Sequence, residues 1–258
     1  MKRLTRLLGC FLVVMILVNH PGPPVKGVAA PAGLDSPEPV FATLQIAQPG
    51  DQSTVVAPVS ILARMIDQGG AWLHLEFYGR DGRLLSRRLV RLVRPADFST
   101  GLTEWLDFEI PGAVEPGWLR LAVQDEHQRW MAVDSVPLNL RSGGKATITW
   151  TPQVSADISI LKPAGQSQVS GGVLKVEGLL ALRLNLPLRV QLVSADGRIV
   201  GQRLAGGGPT GQGGQMTFSA EVPYQVTAPT PVRLLVFEEG DVLPQVTHLS
   251  SLELILIP

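Results

Sequence analysis

Four histidines and one cysteine are the first residues to test for chemistry: His20, His74, His127, His248 and Cys10. A nucleophilic enzyme needs Ser or Cys beside a His that a third group holds in place. His20 falls in the N-terminal segment and His74 inside a strand-like run, and His127 and His248 sit in turn-like contexts. No Gly-x-Ser-x-Gly elbow occurs in the sequence. Zinc wants Cys or His clustered at short spacing, and the sequence holds no such cluster. The Gly-rich run from Gly206 to Gly214 lacks the Lys-Ser/Thr and following helix of a phosphate loop, so it reads as a strand connection. Glu238, Glu239 and Asp241 could face calcium, but they fall short of the six to eight oxygens of a full shell. With Asp125-Glu126 at the matching earlier place, they read as solvated acids near strand ends. The expectation is a non-enzyme with no cofactor and no metal.

Two sets of side chains could make contacts instead. Arg80, Arg83, Arg87, Arg88, Arg91 and Arg94 crowd one hairpin. Strand alternation puts Arg87, Leu89 and Arg91 on one face, and Arg88 and Arg94 on the other. Such a stripe could meet anionic polymers or lipid headgroups, or it could be a charged edge that blocks unwanted strand pairing. Trp72, Trp105, Trp118 and Trp130 belong to the same part of the chain. Exposed, they would stack on sugars or anchor a protein interface; buried, they would fill a core. The candidate ligand contacts are therefore Trp72, Trp105, Trp118, Trp130, Arg80, Arg83, Arg87 and Arg91.

Charge narrows the partners. The chain carries 22 basic and 22 acidic residues. Lys2, Arg3, Arg6 and Lys26 lie in the first thirty residues, which hold no acid. Without that segment the chain is net acidic, which argues against a nucleic-acid partner. The first thirty residues read as a signal peptide or a retained membrane anchor. A basic start precedes an apolar run from Leu7 to Val18, which suits a signal h-region better than the ~20 residues of a spanning helix. Val28-Ala29-Ala30 supplies small residues for cleavage. Leu7-Leu8-Gly9-Cys10 has the look of a lipoprotein box, but most of the apolar run follows Cys10, so Cys10 reads as an ordinary h-region residue. With no other Cys, the mature chain forms no disulfide and its cores stand on packing alone. The expected location is extracytoplasmic, with membrane contact only through the N-terminal segment.

The rest of the chain is one unit written twice. Leu44–Arg64 aligns with Ile158–Gly178 at an offset of 114: Ile46 meets Ile160, Pro49 meets Pro163, and Val55 meets Val169. Asp81-Gly82-Arg83 matches Asp196-Gly197-Arg198, and Arg120, Leu121 and Val123 match Arg233, Leu234 and Val236. On this alignment Trp72, Trp105 and Trp118 face Pro187, Thr217 and Pro231. Each unit reads as about seven short strands with Asp-Gly and Pro/Gly turns between them. The predicted fold is all-β: two tandem immunoglobulin-like β-sandwiches. Residues 31–40 form a lead-in, 41–141 the first domain, 142–156 a linker and 157–258 the second domain.

The second unit resembles the bacterial immunoglobulin-like domain associated with spore germination and sporulation proteins. The residues that carry the likeness are Ile158–Leu161, Pro163, Gly165, Val169, Val173, Val176 and Gly178, then Asp196-Gly197, Phe218–Val222 and Phe237-Glu238-Glu239. The first unit matches more loosely, with Arg64 where Gly is expected and Gln124-Asp125-Glu126 in place of aromatic-Glu-Glu. The resemblance implies an extracytoplasmic, non-catalytic accessory domain, often joined to other envelope modules, with no established ligand. The expected function is an exported envelope interaction or scaffold protein linked to sporulation or germination, its partner an envelope protein or a cell-wall polymer. The alternative is a wall-glycan or anionic-polymer binding module that uses the Trp and Arg side chains of the first unit.

Overall fold

The computed structural model describes residues 41–66, 71–92, 97–151, 156–210, 215–241, 243 and 246–258. The expected signal segment and lead-in, Arg94 and residues 211–214 of the Gly-rich run lie outside them. The described residues form sixteen strands and no helix. The first eight are Phe41–Gln48 (β1), Thr54–Val56 (β2), Val59–Ile66 (β3), Trp72–Gly79 (β4), Leu84–Arg91 (β5), Asp97–Leu106 (β6), Val114–Gln124 (β7) and Trp130–Arg141 (β8). The second eight are Ile158–Lys162 (β9), Gln168–Val169 (β10), Val173–Ala181 (β11), Leu188–Ser194 (β12), Ile199–Thr210 (β13), Gln215–Pro223 (β14), Thr230–Glu239 (β15) and Val246–Leu256 (β16).

Period-two patterning builds the layers. In β3, Val59, Ile61, Ala63 and Met65 point inward; in β12, Leu188, Val190 and Leu192 do the same. Strands β5-β4-β7-β8 form one face of the first half, and β1-β3-β6 form the other. A core containing Leu75, Phe77, Leu119, Leu121 and Ile61 lies between them. In the second half, β13-β12-β15-β16 faces β9-β11-β14 across a core containing Val176, Leu192, Phe218 and Leu234. Fully burying each such apolar side chain contributes roughly 1.5–3 kcal/mol. In each half a short strand runs parallel to the last one, β2 on β8 and β10 on β16. Two facing sheets with this antiparallel order make an immunoglobulin-like fold.

Two local expectations change. The Gly-rich run begins as strand, not connection: β13 continues through Gly206 and Gly207, which pair with Ser219 and Phe218 of β14. So β13 starts in the sheet with β12 and ends in the sheet with β14. The residues after β8 also do more than link. Thr147 bridges Thr54, Gly50 donates to the Thr149 carbonyl, and Thr151 donates to the Ala47 carbonyl, so this segment is pinned along the β1–β2 turn.

The halves share a sheet. One edge of β16 is held by β15. Its other edge meets three partners in turn: β8 at Leu249↔Val133, β1 at Ser251↔Ala42 and Leu252↔Phe41, and β10 at Ile255 and Leu256. An open strand edge invites pairing with other chains, and this edge is closed by the protein itself. Ala122 and Val133 pack with Phe237 and Leu249 in a small third apolar cluster at the junction.

Candidate functional site

Among the described residues, a dense set of titratable side chains lies at this junction and draws on both halves. β8 supplies Asp134 and the Ser135 carbonyl. Asp157 comes just before β9, Arg183 from the turn after β11, Glu238 from β15, and Thr247 and His248 from β16. Asp134 follows the parity of Val136 and Leu138 along β8 and reaches the Ile46 amide of β1, while Ser135 enters the network through its backbone carbonyl.

His248 is the hub. Its Nδ1 lies 2.7 Å from Glu238 Oε2 and its Nε2 3.1 Å from the Ser135 carbonyl. Both ring nitrogens thus face oxygen atoms. Nε2 also lies 3.4 Å from Asp134 Oδ1 and 3.7 Å from Asp157 Oδ2. Arg183 donates Nε to Asp157 Oδ1 at 3.2 Å and Nη1 to the Ser135 carbonyl at 3.3 Å. Its Nη2 donates to Asp157 Oδ2 and, at 3.4 Å, to Asp134 Oδ1. Asp134 Oδ2 accepts the Ile46 amide at 2.6 Å. Glu238 is further held by the Asn185 amide at 2.6 Å and the Thr247 hydroxyl at 3.0 Å.

Burial sets the electrostatics. Asp134 is 1% exposed. Desolvation, with Asp157 beside it, pushes its carboxyl up to about 7 against the pull of His248 and Arg183. Burial also pushes Glu238 up, but the bonds from His248, Asn185 and Thr247 outweigh it and hold this carboxyl below its ordinary value. Burial pulls the Arg183 guanidinium down, and the Asp134 and Asp157 carboxylates more than reverse this.

A second polar link lies on the same junction. Arg120, on β7, is 1% exposed. Its Nη1 donates to Glu76 Oε2 at 2.7 Å, and its Nε crosses to the Val246 carbonyl at 3.0 Å. Its guanidinium lies 4.9 Å from the centre of the Trp130 ring, which meets His74 edge-on at 5.1 Å. Tyr78 and Arg87 complete the shell around Glu76, at 2.9 and 2.8 Å. The repeat partner of Arg120 is Arg233, also buried, which donates to Ser251 and Glu253 of β16.

Asp134, Asp157 and His248 bring ligand-type atoms within 4.8 Å of one another. Arg183 already lies against both carboxylates, so the cluster carries its own cation and reads as an internal ion network rather than a metal centre. Among the described residues, no Ser, Thr or Cys side chain is hydrogen-bonded to His248. A cleft of about 270 Å³ opens beside the network, lined by Asp51, Trp118, Pro137, Arg183, Asn185, Glu238 and Asp241 among others. A groove of about 420 Å³ also spans the halves, with Arg129 facing Pro231, Arg233 and Ile255.

The structure disperses the residues expected to form one contact patch. Trp72 is 39% and Trp105 55% exposed, but they sit on opposite sheets. Trp118 is half-buried and lines the cleft, and Trp130 packs into the junction. Arg83 is tied to Asp81 and Glu115, Arg87 to Glu76, and Arg88 to Glu104. Arg91 lies 5.8 Å from the Trp72 ring. The Arg80 backbone amide donates to Glu115. β5 has β4 as its one partner among the described strands, so the arginines line a sheet edge.

Three readings of the sequence need correction. His248 lies in a strand, not a turn-like context. Glu238 is 5% exposed and fully bonded, not a solvated acid. Asp125 is likewise buried; its carboxylate caps its own turn by accepting the amides of His127 and Arg129. The network escaped the sequence because its members lie at positions 134, 157, 183, 238 and 248, and only folding brings them together.

Among solved structures, the chain is similar to a chimeric titin Z1Z2-Z1Z2 tandem functionalized with a GRGDS peptide from fibronectin, at 12% identity and a TM-score of 0.22. The match covers 83% of this chain and 98% of that one. So loose a superposition carries no argument, and the immunoglobulin-like assignment rests on the strand pairing. No family model matches the chain, and no curated protein does.

Proposed function

We propose that the chain is an exported, non-catalytic interaction or scaffold protein of the cell envelope, built as two immunoglobulin-like sandwiches held in one fixed arrangement. The observation that carries this reading is where the polar groups go. Asp134, Asp157, Arg183, Glu238 and His248 are spent on one another across the junction. Groups arranged to bond each other and to be buried hold two bodies together; they are not poised to attack a substrate. Fixing the halves presents their outer strands as one continuous surface, which suits a protein that acts by contact. The N-terminal signal-like segment supports export. The motif order over residues 157–257 supports a link to sporulation or germination.

Site-specific crosslinking in cells tests the reading. Probes on the exposed β5 edge or on the outer face of β14 should join the chain to one envelope protein. Turnover of ester or glycan substrates by the purified chain, abolished by His248→Ala, would overturn it.

A second reading, a wall-glycan binding module, is favoured by the half-exposed Trp72 with Arg91 beside it. Pelleting of the chain with purified cell wall, lost on Trp72→Ala or Arg87→Ala, would support that reading. Equal pelleting by both variants and the parent would move the contact off this face.

A further inference from the structure

The cleft beside the ion network has features that joining the halves does not require. It is concave and about 270 Å³ in volume. That lies just under the roughly 300–1,000 Å³ of drug-sized sites, so it fits one ring-sized unit. Trp118 and Pro137 give it an apolar wall. Asn185 uses its backbone amide on Glu238, while its exposed side-chain amide has no partner among the described residues. Asp241 is exposed and likewise has no partner among them, and Asp51 meets only Gln52 through its side chain. An indole beside an unpartnered amide, the Asp241 carboxylate and the exposed Asp51 carboxylate, which meets Gln52 through Oδ1, matches a ligand with an apolar face and hydroxyls at its rim.

The geometry points to a subsite for a single uncharged sugar ring. Trp118 takes the C–H face of the ring, and Asn185, Asp51 and Asp241 take its hydroxyls. Hydroxyls can donate to the carboxylates and accept from the amide, so each free group finds a partner. Asp51 and Asp241, with Glu238 at the lining, set a negative field that repels uronic acids and phosphorylated sugars. Arg183 does not reverse this field, because both oxygens of Asp157 accept from it and Asp51 lies near it. The inference rests on the glycan reading but moves its contact from the Trp72 face to Trp118.

The test is a titration of the isotope-labelled full chain with glucose, N-acetylglucosamine and glucuronic acid, followed by NMR. The indole N–H signal of Trp118, assigned with Trp118→Phe, should shift with the two neutral sugars at dissociation constants of about 1–10 mM. It should not shift with glucuronic acid. Asn185→Ala, at an exposed position, should weaken binding about three- to tenfold, the loss of one hydrogen bond. An oligosaccharide of N-acetylglucosamine separates a chain unit from a free sugar: tighter binding than the monomer means that the subsite reads a polymer, and equal binding means a lone ring. An unmoved Trp118 signal, or a preference for glucuronic acid, would overturn the inference. Shifts confined to Trp72 would also overturn it while leaving the glycan reading standing. Wall pelleting that survives Asn185→Ala and fails on Trp72→Ala would show the same split.

Discussion

His248 Nδ1 lies 2.7 Å from Glu238 Oε2 on the neighbouring strand, while Nε2 of the same ring reaches the Ser135 carbonyl of the other half. One side chain therefore couples the pairing of β15 with β16 to the position of β8. Removing either member takes one buried hydrogen bond from the other, which costs about 1–3 kcal/mol. His248→Ala and Glu238→Gln should each lower stability by that order. The double variant should lose less than the sum, because the second change has no interaction left to break. Urea unfolding of the parent, the two single variants and the double variant measures this coupling.

Asp134 makes the junction respond to pH. Its carboxyl is raised to about 7 in the folded chain, above its unfolded value. The sign follows from linkage: its stabilising contribution is full below about pH 4 and is lost as pH rises toward 7. Glu238 and Asp125 are held low, so their contributions are present at neutral pH and are lost as pH falls through the acid range. Asp134→Asn should therefore gain thermal stability relative to the parent as pH rises from 4 to 7. A stability difference that stays constant across this range would contradict the assignment.

Arg120 joins Glu76 to the Val246 carbonyl, across the halves. Arg120→Met keeps the volume over Trp130 but removes both bonds. Amide hydrogen exchange near the start of β16 should then speed up about tenfold or more, since that strand end loses its tie to β7. Exchange in the middle of β11, within the second core, should stay unchanged.

Gly178 shows where backbone space limits the sequence. A Cβ there would meet the Ser159 carbonyl and the Phe218 ring. Gly178→Ala should cost about 1–3 kcal/mol through overpacking. Gly206 has open space in the same position of an added Cβ, and Gly206→Ala should stay within ~0.5 kcal/mol. Thermal melts of the two variants compare them directly.

Inward-facing residues also refine the internal repeat. Those of β3 are Val59, Ile61, Ala63 and Met65; those of β11 are Leu174, Val176, Gly178 and Leu180. Matched by facing, Ala63 stands where Gly178 does, not Arg64. A one-residue slip turns every side chain to the other face of a sheet, so facing is the stricter guide. The strand registers likewise set Trp72 opposite Gln124, and Arg189 opposite Phe237, so Trp72 corresponds to Arg189 rather than to Pro187. Ungapped identity could not see either shift, because short turns absorb single residues.

Local chemistry was written along the chain: apolar alternation, Asp-Gly turns and the internal repeat give most of the strands and the all-β class. Those signals act between neighbours in sequence or across one turn, so a linear reading reaches them. Whether an acid is solvated or buried is a different matter. Glu238 and Glu239 are adjacent, yet one is bonded to His248 inside the junction and the other meets Arg189 at the surface. Strand alternation separates such neighbours, and the packing of β16 against β8 decides which side is wet. Contacts between residues 134, 157, 183, 238 and 248 form only when two cores close against each other, and burial there, not composition, raises the Asp134 carboxyl.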